Sequence, residues 1–450
     1  MPADPPKPPP LPLPASRLSR MTRLGGLATR IAGGVAAGGA RELAQGRRPR
    51  WNDLLLTPAN AHRLADELSR MRGAAMKMGQ LLSMDAGELL PPELAQILSR
   101  LRAEANPMPP QQLKTVLTAA WGPDWLRRFQ RFEVRPLAAA SIGQVHRALT
   151  RDGRDLAIKV QYPGVRRSID SDVTNVGALL RLSGLVPRGL DLDALLAEAR
   201  RQLHEEADYP REGACLRRFG ALLEEAPDFR VPALAPDLTT DCVLAMSHEP
   251  GHPVEDLVTA PQEERDRVAT LLLGLALREL FEFGLMQTDP NFANYRYQPE
   301  TGRIVLLDFG ATRSFPAPFR ALCRDMLRAG QSGEREALRA AAQGFGLLEA
   351  RTPPGLEKTL LDLLTLALSP LRTTGEFDFG SSDLAQRLNA AGLTLAEERA
   401  ELPLPPVDAL YVQRKFGGLY LLSTRLRARV DLQALTAPYL TPPAPAEDSH

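Results

Sequence analysis

The 450-residue sequence predicts an α+β fold of two lobes, a small β-rich lobe and then a helical one, with a helical extension in front. Three observations carry that prediction. The hydrophobic period changes from helical to alternating near residue 128 and returns to helical after residue 161. A loop of small residues, Ala138 to Gly143, joins two of the alternating runs. An Asp-x-x-x-x-Asn segment at 289–294 is followed, nineteen residues after its aspartate, by Asp308-Phe309-Gly310.

Composition is that of a globular protein, 44% hydrophobic and 24% charged, with length enough for a large core. Lys and Arg (55) nearly balance Asp and Glu (54), so the whole chain is not a polyelectrolyte seeking nucleic acid. Cys215, Cys242 and Cys323 are too few and scattered for a disulfide framework or a zinc site, which favours a reducing compartment. The net charge of +1 hides unlike parts: residues 1–50 carry +7 and the remainder −6. Eight of the 40 prolines lie in the first fourteen residues, so 1–15 reads as a disordered leader.

In the segment 16–50, Leu24, Ala28, Ile31 and Val35 recur at helical spacing beside Arg20, Arg23, Arg30 and Arg41. A basic amphipathic helix of this kind lies in an anionic membrane interface or packs on the protein's own surface. No secretory signal and no window of 18 apolar residues is present, so the expectation is a cytoplasmic protein, peripheral at the inner face of the cell membrane. Residues 51–127 read as a helical extension. Thr57 is a candidate N-cap, and ELAQILSRLRAEA and PPQQLKTVLTAAWG are further helices. Lys77 and Gln80 share one helix face among Met76, Met78, Leu81 and Leu82, where a buried lysine needs a carboxylate.

Residues 128–250 form the expected N-lobe. Two strands flank the small-residue loop, a turn follows at Arg151–Arg154, and a third strand carries Ala157-Ile158-Lys159. Small loop, then Ala-x-Lys, is how protein kinases cover ATP phosphates and pair them with an ammonium. Where a kinase has Gly-x-Gly-x-x-Gly, however, this chain has Ala138, Ala140 and Gly143, with Ala139 and Ser141 between. Each alanine adds a Cβ where backbone approaches phosphate. A helical insert near 170–200 separates Lys159 from an acidic stretch holding Glu206, Asp208 and Glu212. Glu212 is the expected partner of Lys159, which leaves Glu206 or Asp208 for Lys77. Two strands and a hinge at Met246-Ser247-His248, extending to Gly251, complete the lobe, with the hinge backbone expected to bond adenine.

Residues 251–440 are the expected C-lobe, and 441–450 a disordered tail. Phosphoryl transfer is mostly alignment and charge neutralisation, and the residue types suit it. Asp308 and Asn294 offer oxygens to Mg2+, and Asp289 is placed to accept a proton from, or orient, a hydroxyl or water. Gln287-Thr288 stand where protein kinases have His-Arg, and a helix begins soon after Gly310. There is little room for a peptide-docking segment. The C-terminal stretch LYVQRKFGGLYLLSTRLRARV reads as an amphipathic helical tail too charged to span a membrane.

The chain resembles the UbiB/AarF/ADCK atypical kinase-like family, most closely its Coq8-type branch. The resemblance covers roughly 16–440 and rests on KMGQLLSMD (77–85), PLAAASIGQVH (136–146), AIKVQYPGV (157–165), EADYPREGA (206–214), QTDPNFANY (287–295) and LLDFGATR (306–313). It implies a bilobal protein-kinase-like fold with an N-terminal KxGQ extension, Mg-ATP between the lobes, and a Lys77–Gln80 helix that occludes peptides. It further implies that Lys77 contacts Glu206 and Asp208, and that the alanine-rich loop suppresses protein kinase activity. The implied role is an ATPase or small-molecule kinase in ubiquinone and isoprenoid-lipid biosynthesis. Its implied partners are isoprenoid or phenolic quinone precursors, quinone-biosynthesis enzymes and an anionic membrane, with a homodimer as one assembly. The other reading is a nucleotide-binding pseudokinase scaffold that organises a quinone-biosynthesis complex.

Overall fold

The computed structural model describes residues 73–75, 77–79, 107–183, 191–397 and 406–441. The leader, the basic segment, most of the helical extension, Gln80 and the last nine residues lie outside that set. The chain divides into two compact units. The first runs to Ala214 and adds Ala233–Glu249; the second comprises Cys215–Pro232 and everything from Pro250.

In the first unit, α1 (Pro110–Trp121) opens with a proline, whose missing N–H costs nothing there, and stops at Gly122 with φ +87°. Leu113, Leu117 and Trp121 recur every fourth residue and are buried. The Trp121 indole N–H donates to Leu238 O at 3.0 Å, so the ring is buried without an orphan donor. Strands β1 (Phe129–Phe132), β2 (Ala138–Ala139), β3 (Gly143–Thr150) and β4 (Asp155–Gln161) follow. Gly153 at φ +89° turns β3 into β4. Next come α2 (Val165–Ser183), α3 (Leu192–Glu206) and α4 (Tyr209–Leu222), whose last eight residues belong to the second unit. After β5 (Phe229–Arg230), also of the second unit, the chain returns to the first as β6 (Val243–Ser247).

The sheet order is β1-β3-β4-β6, all antiparallel, with β2 on β3. Its core joins Ile158, Val160, Val243 and Ala245 to Leu117, Trp121, Trp125 and Phe129. Side chains of this size contribute roughly 1.5–3 kcal/mol each on burial. The expected helical insert is the pair α2 and α3. Asp191 caps α3 through the Ala194 N–H at 3.0 Å. The two helices meet at Gly177, where a Cβ would lie 2.5 Å from the Leu196 side chain.

In the second unit, β7 (His252–Pro253) leads to α5 (Gln262–Arg278), which continues as a π-helical turn, Glu279–Phe283, ending at Gly284 with φ +57°. Strand β8 (Leu285–Gln287) follows, then the hairpin of β9 (Tyr295–Gln298) and β10 (Arg303–Leu306), then β11 (Thr312–Ser314). One sheet has the order β5-β10-β9-β7, and β11 pairs with β8. Helices α6 (Ala317–Ser332), α7 (Arg335–Gly344), α8 (Pro354–Ala367), α9 (Leu384–Glu397) and α10 (Val407–Leu426) complete most of the unit. Phe281, Met286, Phe315, Phe319, Cys323 and Tyr411 form one of its cores.

The C-terminal stretch read as an amphipathic tail is an amphipathic helix, and its apolar face is packed into the core. Tyr411, Lys415, Gly418, Leu419, Leu422 and Leu426 of α10 are all buried, and their spacing makes one continuous face. Among the described residues no helix is long and apolar enough to cross a membrane.

Candidate active site

Lys159 lies mid-strand in β4, opposite Val145 on one side and Leu244 on the other. Its Nζ meets Glu212 Oε1 at 2.6 Å, with both side chains nearly fully buried. A buried ammonium requires such a partner, since desolvation of an unpaired charge costs several kcal/mol. Glu212 reaches it because α3 stops at Glu206 and α4 starts afresh at Tyr209. Pro210 occupies the first turn of α4, and the Asp208 carboxylate accepts the Arg211 N–H at 3.1 Å as its cap.

A second acid, Glu206, sits at the end of α3. One of its oxygens takes the Lys77 ammonium at 2.6 Å, and the other accepts the Ser141 hydroxyl. Lys77 therefore ties the short helical stretch 77–79 to the small-residue loop. Gly73 approaches the same loop closely: a Cβ there would lie 3.1 Å from Ser141 O. Ala74, Ala75 and Met78 are buried in the same segment.

The loop is a tight hairpin. Ala138 and Ala139 pair with Val145 and Gln144 in β2, and the Ala140 N–H donates to Gly143 O at 2.8 Å. Gly143 is required at the return, because a Cβ there would lie 2.3 Å from Val160 O. The three alanines keep ordinary negative φ, as Arg427 is the one non-glycine with positive φ among the described residues.

The expected hinge differs from its description above. Met246 and Ser247 belong to strand β6, since Val243–Ser247 pairs along its length with Leu156–Val160. The N–H groups of Ser247 and His248 already donate to Ala233 O and Asp155 O at 2.8 and 2.9 Å. Neither N–H is left for a base.

In the second unit, the β9–β10 hairpin explains the nineteen-residue spacing. Tyr295 pairs with Leu306, so Asn294 and Leu307 fall side by side, and the Leu307 N–H donates to Asn294 O at 3.0 Å. Asp308 follows at once. Asp289 Oδ2 accepts the Asn294 carboxamide N–H at 3.4 Å, and its Oδ1 accepts the Asn291 N–H at 3.3 Å. Asn294 thereby keeps its carboxamide oxygen for a cation. Asp308 Oδ1 accepts the Gly310 N–H at 2.9 Å. Phe309 is buried against Phe219 of α4, ring centroids 4.8 Å apart, which fixes the backbone that presents Asp308. Magnesium takes one or two protein oxygens and completes its shell with water and phosphate, so this donor set fits it. Among the described residues no group of three or more His, Cys, Asp or Glu side chains is arranged to hold a metal ion.

A family model described as the ABC1 atypical kinase-like domain matches residues 100–341, which include β1 to β11 and every motif just described except Lys77. The chain belongs to the ABC1 atypical kinase family. The chain is 38% identical over 421 residues to the mitochondrial atypical kinase COQ8 of Saccharomyces cerevisiae, covering 93% of this chain and 83% of that one. It is 37% identical to the mitochondrial atypical kinase COQ8B of Rattus norvegicus, over 93% and 79% of the two chains. Among solved structures it is similar to Rv3197 from Mycobacterium tuberculosis in its erythromycin complex. That likeness has a TM-score of 0.60 and 25% identity, and covers 85% of this chain and 97% of the other. The expected bilobal kinase-like α+β fold and the family resemblance both stand.

One part of the second unit escaped sequence reasoning. Lys415, on the apolar face of α10, is buried beside Glu279, Gln287 and Tyr295. The signal was a charged residue at the helical spacing of Tyr411, Leu419 and Leu422. Glu279 gives the matching signal between Ala276 and Leu280.

Proposed function

We propose that this chain is an ATP-dependent kinase-like enzyme, an ATPase or small-molecule kinase, that supports ubiquinone and isoprenoid-lipid biosynthesis. The observation that carries the reading is the hairpin register that sets Asn294 beside Leu307 and delivers Asp308 to the Asp289–Asn294 pair. In this reading Lys159, held by Glu212, presents its ammonium to phosphate oxygens. Asn294 and Asp308 hold magnesium, and Asp289 orients the attacking hydroxyl or water and accepts its proton. Magnesium, when bound, neutralises charge on the phosphate oxygens. Ala138–Ser141 and Gly143 cover the nucleotide. The contacts of Lys77 and Ser141 with Glu206, with Gln80, act as a bar to peptide substrates.

The biosynthetic role is supported by the likeness to Coq8-type atypical kinases over 93% of the chain. The basic segment 16–50 attaches the protein to an anionic membrane, and a homodimer is the proposed assembly. The test is Mg-ATP turnover by wild type and Asp289→Asn, with and without anionic liposomes and a phenolic quinone precursor. Turnover that is stimulated by either addition and abolished by the substitution is expected. Nucleotide binding with no turnover under any condition would leave the scaffold reading instead. Quinone content in a strain lacking the gene, rescued by wild type but not by Asp289→Asn, tests the pathway.

A further inference from the structure

We propose that α10 positions the catalytic loop, with Lys415 as the positioning residue whose ammonium ties Gln287 to Tyr295. The inference rests on the reading of Asp289 and Asn294 given above. Gln287 stands two residues before Asp289, and Tyr295 directly follows Asn294, so one ammonium joins the two ends of the loop. Lys415 Nζ donates to Gln287 Oε1 at 3.2 Å and to the Tyr295 hydroxyl at 2.9 Å. Its third direction faces Glu279 Oε2 at 3.5 Å, across from the π-helical turn. An ammonium has three N–H donors, and these three partners match them.

A second contact comes from the same helix. Gly418, one turn beyond Lys415, lies so close to the loop that a Cβ there would sit 2.2 Å from Pro290 Cβ. Pro290 is the neighbour of Asp289. The helix thus touches the loop at its beginning, at its end and beside its central acid.

A lysine at this position is costly for a purely structural part. Burying two charges costs several kcal/mol per ion, and apolar side chains of similar volume often replace such pairs without loss. Only 2% of the Lys415 surface is exposed. Burial alone draws the Lys415 ammonium down, but the Glu279 carboxylate and the Tyr295 oxygen beside it raise it on balance. Burial pushes Glu279 up to about 6, partly offset by Lys415. Directed bonds to Gln287 and Tyr295 are what an apolar replacement would forfeit. Gln287-Thr288 stand in place of the His-Arg that precedes the catalytic aspartate in protein kinases, so the loop takes its anchor from α10.

The test compares Lys415→Met/Glu279→Gln, which removes both charges together, with Gly418→Ala and Asp289→Asn. Each is measured for melting temperature, Mg-ATP affinity, and the kcat and KM of ATP turnover. The double variant is expected to stay folded and bind Mg-ATP within about threefold of wild type, with kcat lowered roughly 10- to 100-fold, as a misplacement near 1 Å produces. Gly418→Ala is expected to show the same split while keeping Lys415. A purely structural role would move the melting temperature and leave kcat alone. Wild-type kcat in either folded variant, with Asp289→Asn inactive, overturns the positioning role and leaves the function intact. Wild-type kcat in Asp289→Asn overturns both.

Discussion

Glu212→Gln isolates the charge that holds Lys159. In the native protein the two groups are 2.6 Å apart, with 11% and 3% of their side chains exposed. The substitution keeps shape and removes the counter-charge, leaving the ammonium buried near the Tyr209 ring, 5.8 Å from its centroid. Breaking one side of a buried pair costs about 3–5 kcal/mol. For a unit of some two hundred residues each kcal/mol lowers the melting temperature by about 2–4 °C, so a fall of roughly 6–20 °C is expected. Removing both charges in Lys159→Met/Glu212→Met should restore most of that loss, because a packed apolar pair avoids the desolvation cost. Melting temperature separates the two variants, while nucleotide affinity falls in both: Glu212→Gln misplaces the ammonium, and the double variant removes it. The assay is thermal denaturation with Mg-ATP titration on these three proteins. A Glu212→Gln protein with wild-type melting and wild-type affinity would refute the reasoning.

Glu206→Ala removes the acceptor shared by Lys77 and Ser141, so the helical stretch 77–79 should loosen and autophosphorylation should rise. Unchanged protease sensitivity near residue 77 together with unchanged labelling would count against this. His146 donates through Nδ1 to Glu133 O, which leaves Nε2 to accept from the Gln144 amide, and burial holds its pKa below the usual value. The unfolded chain therefore binds the proton first as pH falls below about 6.5, and stability drops by up to about 1.4 kcal/mol per pH unit of the depression. Denaturant midpoints from pH 7.5 to 5 should fall less steeply in His146→Gln; parallel slopes would contradict this. Gly143→Ala places a Cβ against the Val160 carbonyl, whose backbone has no room to yield, and should cost about 1–3 kcal/mol. Because Val160 follows Lys159, weaker Mg-ATP binding is expected alongside the lower melting temperature, and a wild-type value for both would disprove the close approach.

The parts of the site that were legible in the sequence are those set by local pattern. The alternation around Ala157-Ile158-Lys159 read as a strand because β4 has one face in the core and pairs on both edges. Glu212 meets Lys159 as expected from the acidic stretch, and the structure gives the reason: α4 starts afresh at Tyr209, and a helix start fixes which acid points where. The hinge was misplaced by two residues because strand length depends on the partner strand, and β4 offers pairing as far as Ser247. The role of α10 was hidden for a different reason. Lys415 meets Glu279, Gln287 and Tyr295, all more than one hundred residues earlier, and no periodicity reports such a meeting. Its charge was read as barring a membrane span, when it was also the mark of a buried network.

The β9–β10 hairpin separates what the site requires from what it only tolerates. Asn294 and Leu307, the residue before Asp308, fall side by side because Tyr295 faces Leu306, and that pairing is indifferent to the length of the turn beyond Gln298. Residues added among Pro299, Glu300, Thr301 and Gly302 would lengthen the ribbon's tip and leave the end at Asn294 and Leu307 in place. One residue added inside either strand would instead flip the side chains beyond it to the opposite face. A search for distant relatives that demands nineteen residues between the two aspartates would discard working sites with longer tips. The invariant to search for is strand register.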